Sequence, residues 1–184
     1  MKNKLSALTI ISTVTLLLIL PLSYPNTGIQ SSVAQAVRRF QTYTSPKLFS
    51  IQYPSNWFVN ATNRRYVIIT NYKPQVGGGE APANYMKTDI TFMPGSLETA
   101  VSQSIASTRK NFDKILKRET ITVAGREAVR IWITGSGFDF PDTIVTYVRY
   151  TNKETATMAT FYTKSNSSAV DIIKRIHGSF RLIK

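Results

Sequence analysis

Apolar and polar residues alternate in the first part of the chain with the two-residue period of half-buried β-strands. Residues 49–53 show this alternation, and Pro54-Ser55-Asn56 forms a turn before a second strand that opens at Trp57. A β-branched run at residues 66–70 and an alternating run at residues 86–92 predict two more strands. In the last of these, one face is expected to be buried and the other wet.

Apolar residues then recur at helical spacing. Pro94-Gly95 ends the preceding strand, Ser96 is a candidate N-cap, and Glu98 falls in the first turn, where the helix dipole favours an acid. The helix is expected to reach Arg118, with Thr108 filling a gap in its buried stripe. The apolar members of that stripe are expected to be Leu97, Val101, Ile105, Phe112 and either Ile115 or Leu116.

The second half returns to strand periodicity before a closing helix. Four strands are predicted, at residues 120–123, 129–133, 143–150 and 155–162. Turns are expected at Ala124-Gly125 and at Asn152-Lys153-Glu154, the latter as a hairpin connection.

The closing helix is predicted to begin near Asn166 or Ser167 and to have Gly178 as its C′ residue. Val170, Ile173 and Ile176 would form its buried stripe, and a tail containing Phe180, Leu182 and Ile183 would return to the sheet. The order of elements indicates an α+β sandwich in which two helices pack against a mainly antiparallel sheet.

The first 36 residues have the pattern of a secretory signal peptide. Lys2 and Lys4 precede an apolar run at residues 5–20, and Ala34-Gln35-Ala36 offers small residues at a cleavage site. A retained membrane anchor is the alternative, although a span needs about 20 apolar residues and this run is marginal. The expected organisation is therefore a signal at 1–36 and a single domain at 37–184, exported to a thylakoid lumen or a periplasm.

Charge and cysteine content limit the classes of partner and of chemistry that this chain can have. The formal net charge is +13, which favours anionic lipid surfaces, acidic proteins, polyanionic polymers or nucleic acid. Export argues against nucleic acid, and a basic surface can also simply keep a protein soluble. With no cysteine in the sequence, disulfides, lipid attachment through a lipobox and cysteine nucleophiles are excluded.

Residues suited to catalysis or metal binding are sparse. His177 is the only histidine and lies beside the buried stripe at the helix end, where a packing role is expected, with contacts to terminal carbonyls. Asp139 and Asp142 flank Phe140-Pro141 and could offer oxygens to a hard cation, but two acids are too few to argue a site, and a turn with capping aspartates is the favoured interpretation. No catalytic, cofactor or metal residue is therefore assigned, and the protein is expected not to be an enzyme.

Two features suit a binding role instead. Lys110, Lys114, Lys117 and Arg118 are spaced i, i+4, i+7 and i+8, which would place them on one side of the first helix as a partner-binding basic face. A solvated helix face is the alternative reading. Between residues 73 and 83, Gly77, Gly78 and Gly79 form a candidate flexible binding loop, although a plain surface loop is the favoured interpretation.

Three segments resemble PsbP-like domains. Residues 43–57 read YTSPKLFSIQYPSNW, a strand that ends in a Tyr-Pro turn followed by Trp. Residues 123–128 (VAGREA) are similar to the mid-domain hairpin of that family, and residues 173–181 to its closing helix and tail. The resemblance covers nearly all of residues 37–184 and implies an αβα sandwich with a central, mainly antiparallel sheet.

The family resemblance also implies a role. PsbP proteins are non-enzymatic extrinsic subunits or assembly factors on the lumenal side of photosystem II, at the oxygen-evolving complex. The implied partner is a membrane protein complex with an acidic lumenal surface, bound peripherally by a monomer. Calcium or manganese ions are implied by the resemblance alone. Because the chain lacks a cysteine to acylate and has only residues 37–42 before the domain, it is read as a paralogue of PsbP.

A second function class stays open beside this one. Relatives with this fold also occur as exported proteins of bacteria that do not photosynthesise, which suggests a small-ligand or cell-envelope binding protein. Such a protein would have a concave apolar pocket between sheet and helix. An enzyme would instead require convergent carboxylates.

Overall fold

The computed structural model of the chain describes residues 39–73, 82–135, 142–163 and 168–183. Within these ranges the chain forms ten strands and two helices. In chain order they are β1 (Phe40–Ser45), β2 (Phe49–Pro54), β3 (Phe58–Asn63), β4 (Tyr66–Thr70), β5 (Met86–Pro94), α1 (Leu97–Lys110), β6 (Lys114–Val123), β7 (Arg126–Thr134), β8 (Asp142–Thr151), β9 (Glu154–Tyr162), α2 (Ala169–Gly178) and β10 (Arg181–Leu182).

Seven strands form one antiparallel sheet in the order β3-β4-β5-β9-β8-β7-β6. A hairpin at residues 152–153 joins β8 to β9, as predicted. The β6–β7 turn lies at Ala124 and Gly125, whose φ angles are 53° and 73°. Positive φ at both central residues matches the twist of the flanking strands, so this predicted turn is also confirmed.

Helix α1 covers one face of this sheet. Alternate residues of β7, Val129 and Ile131, pack with Leu97 and Val101 of α1 in one buried cluster. Trp132, the next residue after Ile131, belongs to the cluster on the opposite face. The two-residue period of the strand therefore serves two separate cores.

The opposite face carries α2 and a second sheet of three antiparallel strands, ordered β1-β2-β10. Phe49 of β2 and Phe180 stack with ring centroids 5.3 Å apart, and both are fully buried. Ile173 and Ile176 of α2 join the same core. Helices on both faces of an antiparallel sheet make this the predicted α+β sandwich.

The end of α1 differs from the prediction. The helix stops at Lys110, because Asp113 N–H donates to the Thr108 carbonyl and Phe112 N–H donates to the Arg109 carbonyl, both at 3.1 Å. This is the hydrogen-bond pattern of a Schellman cap, with Phe112 at the C′ position and a φ of 61°. The prediction that the helix continues to Arg118 is therefore wrong.

Three smaller predictions also need correction. Phe112 and Leu116 are not core residues, since they are 90% and 62% exposed. Gly178 is the last helical residue and not C′, because the cap is Ser179 with a φ of −83°. The domain begins earlier than Tyr43, since β1 starts at Phe40.

Other details of the helices are as predicted. The Ser96 hydroxyl accepts from Thr99 N–H at 3.3 Å at the start of α1, and Thr108 is buried. Neither of the helices formed by the described residues is long and apolar enough to cross a membrane.

Candidate functional site

A cleft of about 500 Å³ opens between α1 and the sheet. Its floor is largely apolar and its helix wall is largely polar, because α1 presents small and uncharged polar residues there. Val145 and Ala159 represent the floor, and Gln103, Ser104 and Ser107 represent the wall. The volume lies within the range of small-molecule pockets. A concave pocket between sheet and helix is the feature expected of a ligand-binding protein of this fold.

Tyr147 anchors the middle of the cleft. Its side chain is 5% exposed, burial raises the pKa of its phenol, and a hydrogen bond with Ser104 acts in the opposite direction. The phenol is therefore neutral at physiological pH and can both donate and accept a hydrogen bond.

Asp113 supplies a carboxylate among the residues that line the cleft. It lies against Gly135 at the end of β7, where an added Cβ would fall 1.8 Å from Asp113 Oδ1. Glycine is thus required at 135 by close approach of this side chain. The arrangement fixes one negative charge at one end of a mostly neutral cleft.

A buried polar network fills the opposite side of the sheet. His177 of α2 is fully buried, with Nδ1 2.9 Å from Thr146 Oγ1 and Nε2 2.8 Å from Thr160 Oγ1. The Thr160 hydroxyl also contacts Thr88 Oγ1 at 2.7 Å. Arg130 Nε donates to Thr146 Oγ1 at 3.0 Å. The network ties α2 to three neighbouring strands and to β7.

The histidine of this network is neutral at physiological pH. Burial, and secondarily the positive charge of Arg130, lowers the pKa of His177 to about 3. With Arg130 donating to Thr146, the threonine hydroxyl can donate to Nδ1, and Nε2–H then donates to Thr160. The predicted packing role of His177 is confirmed, but its partners are threonine hydroxyls and not the expected helix carbonyls.

The predicted basic face is not a helix face. Lys110 ends α1, whereas Lys114, Lys117 and Arg118 belong to β6, the edge strand of the sheet. An irregularity in β6 between Ile115 and Lys117 offsets the pairing with β7.

The four cations lie near this edge of the sheet but do not share one face. Lys117 pairs with Glu119 and lies 5.1 Å from the centroid of Trp132, on the α2 side of the sheet. Arg118 lies opposite Ile131 and therefore on the α1 side. We call Lys110, Lys114, Lys117 and Arg118 the basic edge. Its role in partner binding stays a prediction.

The remaining candidate residues give little support for a metal site. Asp142 is 4% exposed, and Asp139 lies outside the described residues, as do Gly77, Gly78 and Gly79. Within the part of the chain that the structure describes, no group of three or more acidic or histidine side chains could hold a metal ion.

Sequence reasoning did not identify the residues of the cleft, because its helix wall is formed largely by small side chains. Ser104 follows Ala100 by four residues along α1, and Ser107 and Thr108 follow Ser104 by three and four. That stripe of small residues is the one signal of a poorly filled helix–sheet contact, and it becomes visible only once the helix is placed on the sheet.

Comparison with known proteins supports the fold. No protein-family model matches the sequence, and no curated protein sequence matches it significantly. The solution structure of cyanobacterial PsbP from Synechocystis matches with a TM-score of 0.52 and 10% identity, covering 79% of this chain and 94% of that one. The chain therefore has a PsbP-like α+β fold.

Two further solved structures are more distant. A crystal structure from Bacteroides thetaiotaomicron matches with a TM-score of 0.46 and 11% identity, over 79% of this chain and 48% of that chain. A protein of unknown function from Pseudomonas aeruginosa matches with a TM-score of 0.40 and 16% identity, over 72% and 89%.

Proposed function

We propose that this protein is an exported, non-enzymatic, extrinsic binding module that docks on the acidic surface of a membrane protein complex and assists its assembly. Photosystem II is the partner we expect in a photosynthetic host, because the fold is similar to that of cyanobacterial PsbP. We place the protein in a thylakoid lumen or a periplasm, as a peripherally bound monomer.

The observation that carries this proposal is the surplus of exposed cations. All four glutamates in the described residues form ion pairs: Glu98 and Glu127 with Arg149, Glu154 with Arg65 and Glu119 with Lys117. Lys110, Lys114 and Arg118 are exposed and form no ion pair with any described residue. A local excess of unpaired positive charge favours association with an acidic surface and makes that association sensitive to salt.

A pull-down from the membranes of the native host tests the proposal. The bait is the full chain, and its comparison variant carries Lys110→Gln, Lys114→Gln and Arg118→Gln. A matched control changes three exposed lysines outside the basic edge, Lys47, Lys73 and Lys153, to glutamine.

The expected result is a membrane protein complex that the wild type and the control recover at low salt and release at high salt. The basic-edge variant should recover much less of it. Equal recovery by both triple variants, or recovery of no membrane protein, would overturn the proposal.

A second candidate function rests on the cleft. An exported protein that binds a small ligand would use the apolar floor around Val145 for the body of the ligand. Tyr147, Ser104 and Asp113 would orient its polar groups. Such binding would survive high salt, because most of the contact would be apolar.

Thermal shift assays against a panel of small amphipathic compounds test this alternative. A true cleft ligand raises the unfolding temperature of the wild type at low and high salt, and Ala100→Trp, which fills the cleft, abolishes the effect. A shift that persists in that variant would place the ligand elsewhere.

A further inference from the structure

Two large apolar side chains protrude from the connection between α1 and β6. Phe112 is 90% exposed and Leu116 is 62% exposed. They are four positions apart in the chain, so their Cα atoms lie within about 14 Å of each other. Phe58, at 44%, is the next most exposed large apolar residue in the described part of the chain, and it lies on β3 at the other edge of the sheet.

Phe112 is an unusual choice for its backbone position. It occupies the C′ position of the Schellman cap with a φ of 61°, a left-handed conformation in which glycine is normally preferred. A bulky side chain there costs conformational free energy and, being exposed, returns almost no burial. Glycine would adopt this conformation at lower cost, and the exposed ring brings the fold no compensating burial.

Leu116 is similarly placed outside the regular pairing. Ile115 lies opposite Ile133 and Lys117 lies opposite Trp132, so Leu116 is the extra residue of a bulge in the edge strand. A bulge protects an edge strand from pairing with other strands. This leaves Leu116 as an exposed side chain beside an edge that is poorly suited to β-strand addition.

Cations flank this apolar pair in the sequence. Arg109, Lys110, Lys114 and Arg118 are exposed and form no ion pair with the described residues. The single acid between residues 109 and 118 is Asp113, which is partly buried against Gly135. Arg118 lies on the α1 side of the sheet edge, and within residues 109–118 these four cations outnumber the single acid.

We propose that the α1–β6 corner, residues 109–118, is a lipid-docking tip that inserts Phe112 and Leu116 into the interfacial region of an anionic bilayer. The flanking cations contact lipid phosphates, and the apolar pair enters the acyl boundary, the division of labour seen at interfacial anchors. A specific protein interface needs far more area than two protruding side chains supply, whereas a fluid bilayer accommodates a small convex tip.

This inference rests on the proposed function, in that it supplies the membrane contact of a peripheral module, but lipid vesicles alone can test it. Full-length protein is sedimented with vesicles of mixed phosphatidylglycerol and phosphatidylcholine, and with vesicles of phosphatidylcholine only. Every variant carries the same N-terminal segment, so any contribution of that segment cancels when variants are compared.

Phe112→Gly is the decisive variant, because it removes the aromatic ring while relieving the left-handed backbone. We expect its partition coefficient on phosphatidylglycerol vesicles to fall about tenfold or more. Its unfolding temperature should equal or exceed that of the wild type. The matched control, Phe58→Ala, removes an exposed aromatic from the far edge and should bind as the wild type does.

A charge variant tests the contribution of the cations separately. Lys110→Gln with Lys114→Gln should lower binding to phosphatidylglycerol vesicles roughly 25-fold, at about fivefold per lysine. Neither residue is expected to affect the residual binding to phosphatidylcholine. The inference is overturned if Phe112→Gly binds vesicles as tightly as the wild type, or if Phe58→Ala loses as much binding.

The outcomes also separate this inference from the proposed function. If a membrane complex is recovered by the basic edge while pure vesicles are not bound, the lipid contact is wrong and the docking module stands. If vesicles are bound in the manner described while no protein is recovered, docking on a protein complex is wrong and the lipid contact stands.

Discussion

On the α2 side of the seven-stranded sheet, aromatic and branched side chains fill the space between the layers, and Phe49, Phe180, Ile173 and Ile176 are all fully buried. On the α1 side, a smaller cluster lies next to an open cleft of about 500 Å³. The same strands support both faces, so the difference comes from the side chains that each helix presents. Close packing stabilises the first face, whereas the second gives up part of that stabilisation and leaves an open space.

Truncation of Phe180, on the α2 side, should cause the largest loss of stability. Phe180→Ala removes a fully buried ring that stacks on Phe49, and we expect the free energy of unfolding to fall by about 3–5 kcal/mol. Ile105→Ala, on the partly buried α1 side, should cost only about 1–2 kcal/mol. Urea denaturation of both variants measures the difference, and equal losses would show that the two faces are packed alike.

Acid should destabilise the protein through His177, which lies on the α2 side. The folded pKa of His177, about 3, is below its ordinary value of 6.5, so between these values the unfolded chain binds more protons and stability falls as the pH falls. We expect roughly 3 kcal/mol to be lost between pH 6.5 and about pH 4 from this group. Denaturation curves at a series of pH values measure the slope.

A matched variant isolates the histidine from the carboxylates. Glu98 has a pKa lowered to about 2, chiefly by hydrogen bonding to its own backbone N–H, and it therefore contributes stability that is also lost in acid. His177→Gln keeps that contribution and removes the titrating ring. Its stability should depend less on pH than that of the wild type, and an unchanged slope would assign the acid sensitivity to carboxylates alone.

A substitution that crowds Asp113 tests the close contact between Gly135 and Asp113 on the cleft side. In Gly135→Ala the new methyl group would collide with the Asp113 carboxylate, and we expect a loss of about 1–2 kcal/mol as the side chain is displaced. Adding Asp113→Ala should recover most of this loss, since the collision is removed. Additive costs in the double variant, measured by urea denaturation, would show that the two residues are not in contact.

Filling the cleft should have the smallest effect. Ser107→Phe places a ring at the rim of open space, and we expect the free energy of unfolding to change by no more than about 0.5 kcal/mol. The same enlargement at the buried residue Ala169 of α2 should cost about 1–3 kcal/mol. If Ser107→Phe were as costly as Ala169→Phe, as measured by thermal unfolding, the cleft would be closed in solution.

Periodicity predicted both helices and most of the strands, because alternating apolar and polar residues mark the buried face of each element. It did not predict β1, and it predicted only the last four residues of β6. It could not end α1 correctly, since Phe112 continues the apolar helical spacing while its backbone turns left-handed in a cap that usually contains glycine. The cap therefore carries no residue signature. Likewise, the packing of His177 was predictable from its place beside the buried stripe.

The partners of His177 were not predictable in the same way. Thr146 and Thr160 come from two strands whose adjacency depends on the order of the whole sheet. The cleft was unpredictable for the same reason, because it is a space left between a helix and strands that are distant in sequence. The order of elements predicted helices packed against an antiparallel sheet, and the resemblance to PsbP-like domains added the expectation of an αβα sandwich.

The small sheet has a consequence for the order in which this chain assembles. β2 lies between β1 and β10, and Gln52 N–H donates to Ser179 Oγ across 127 positions of sequence. Contacts of such separation form slowly, and this one cannot form before the last residues of the chain are available. Whether the polypeptide leaves a ribosome or threads through a secretion pore N-terminus first, its main core stays open until residues 180–182 arrive to close it.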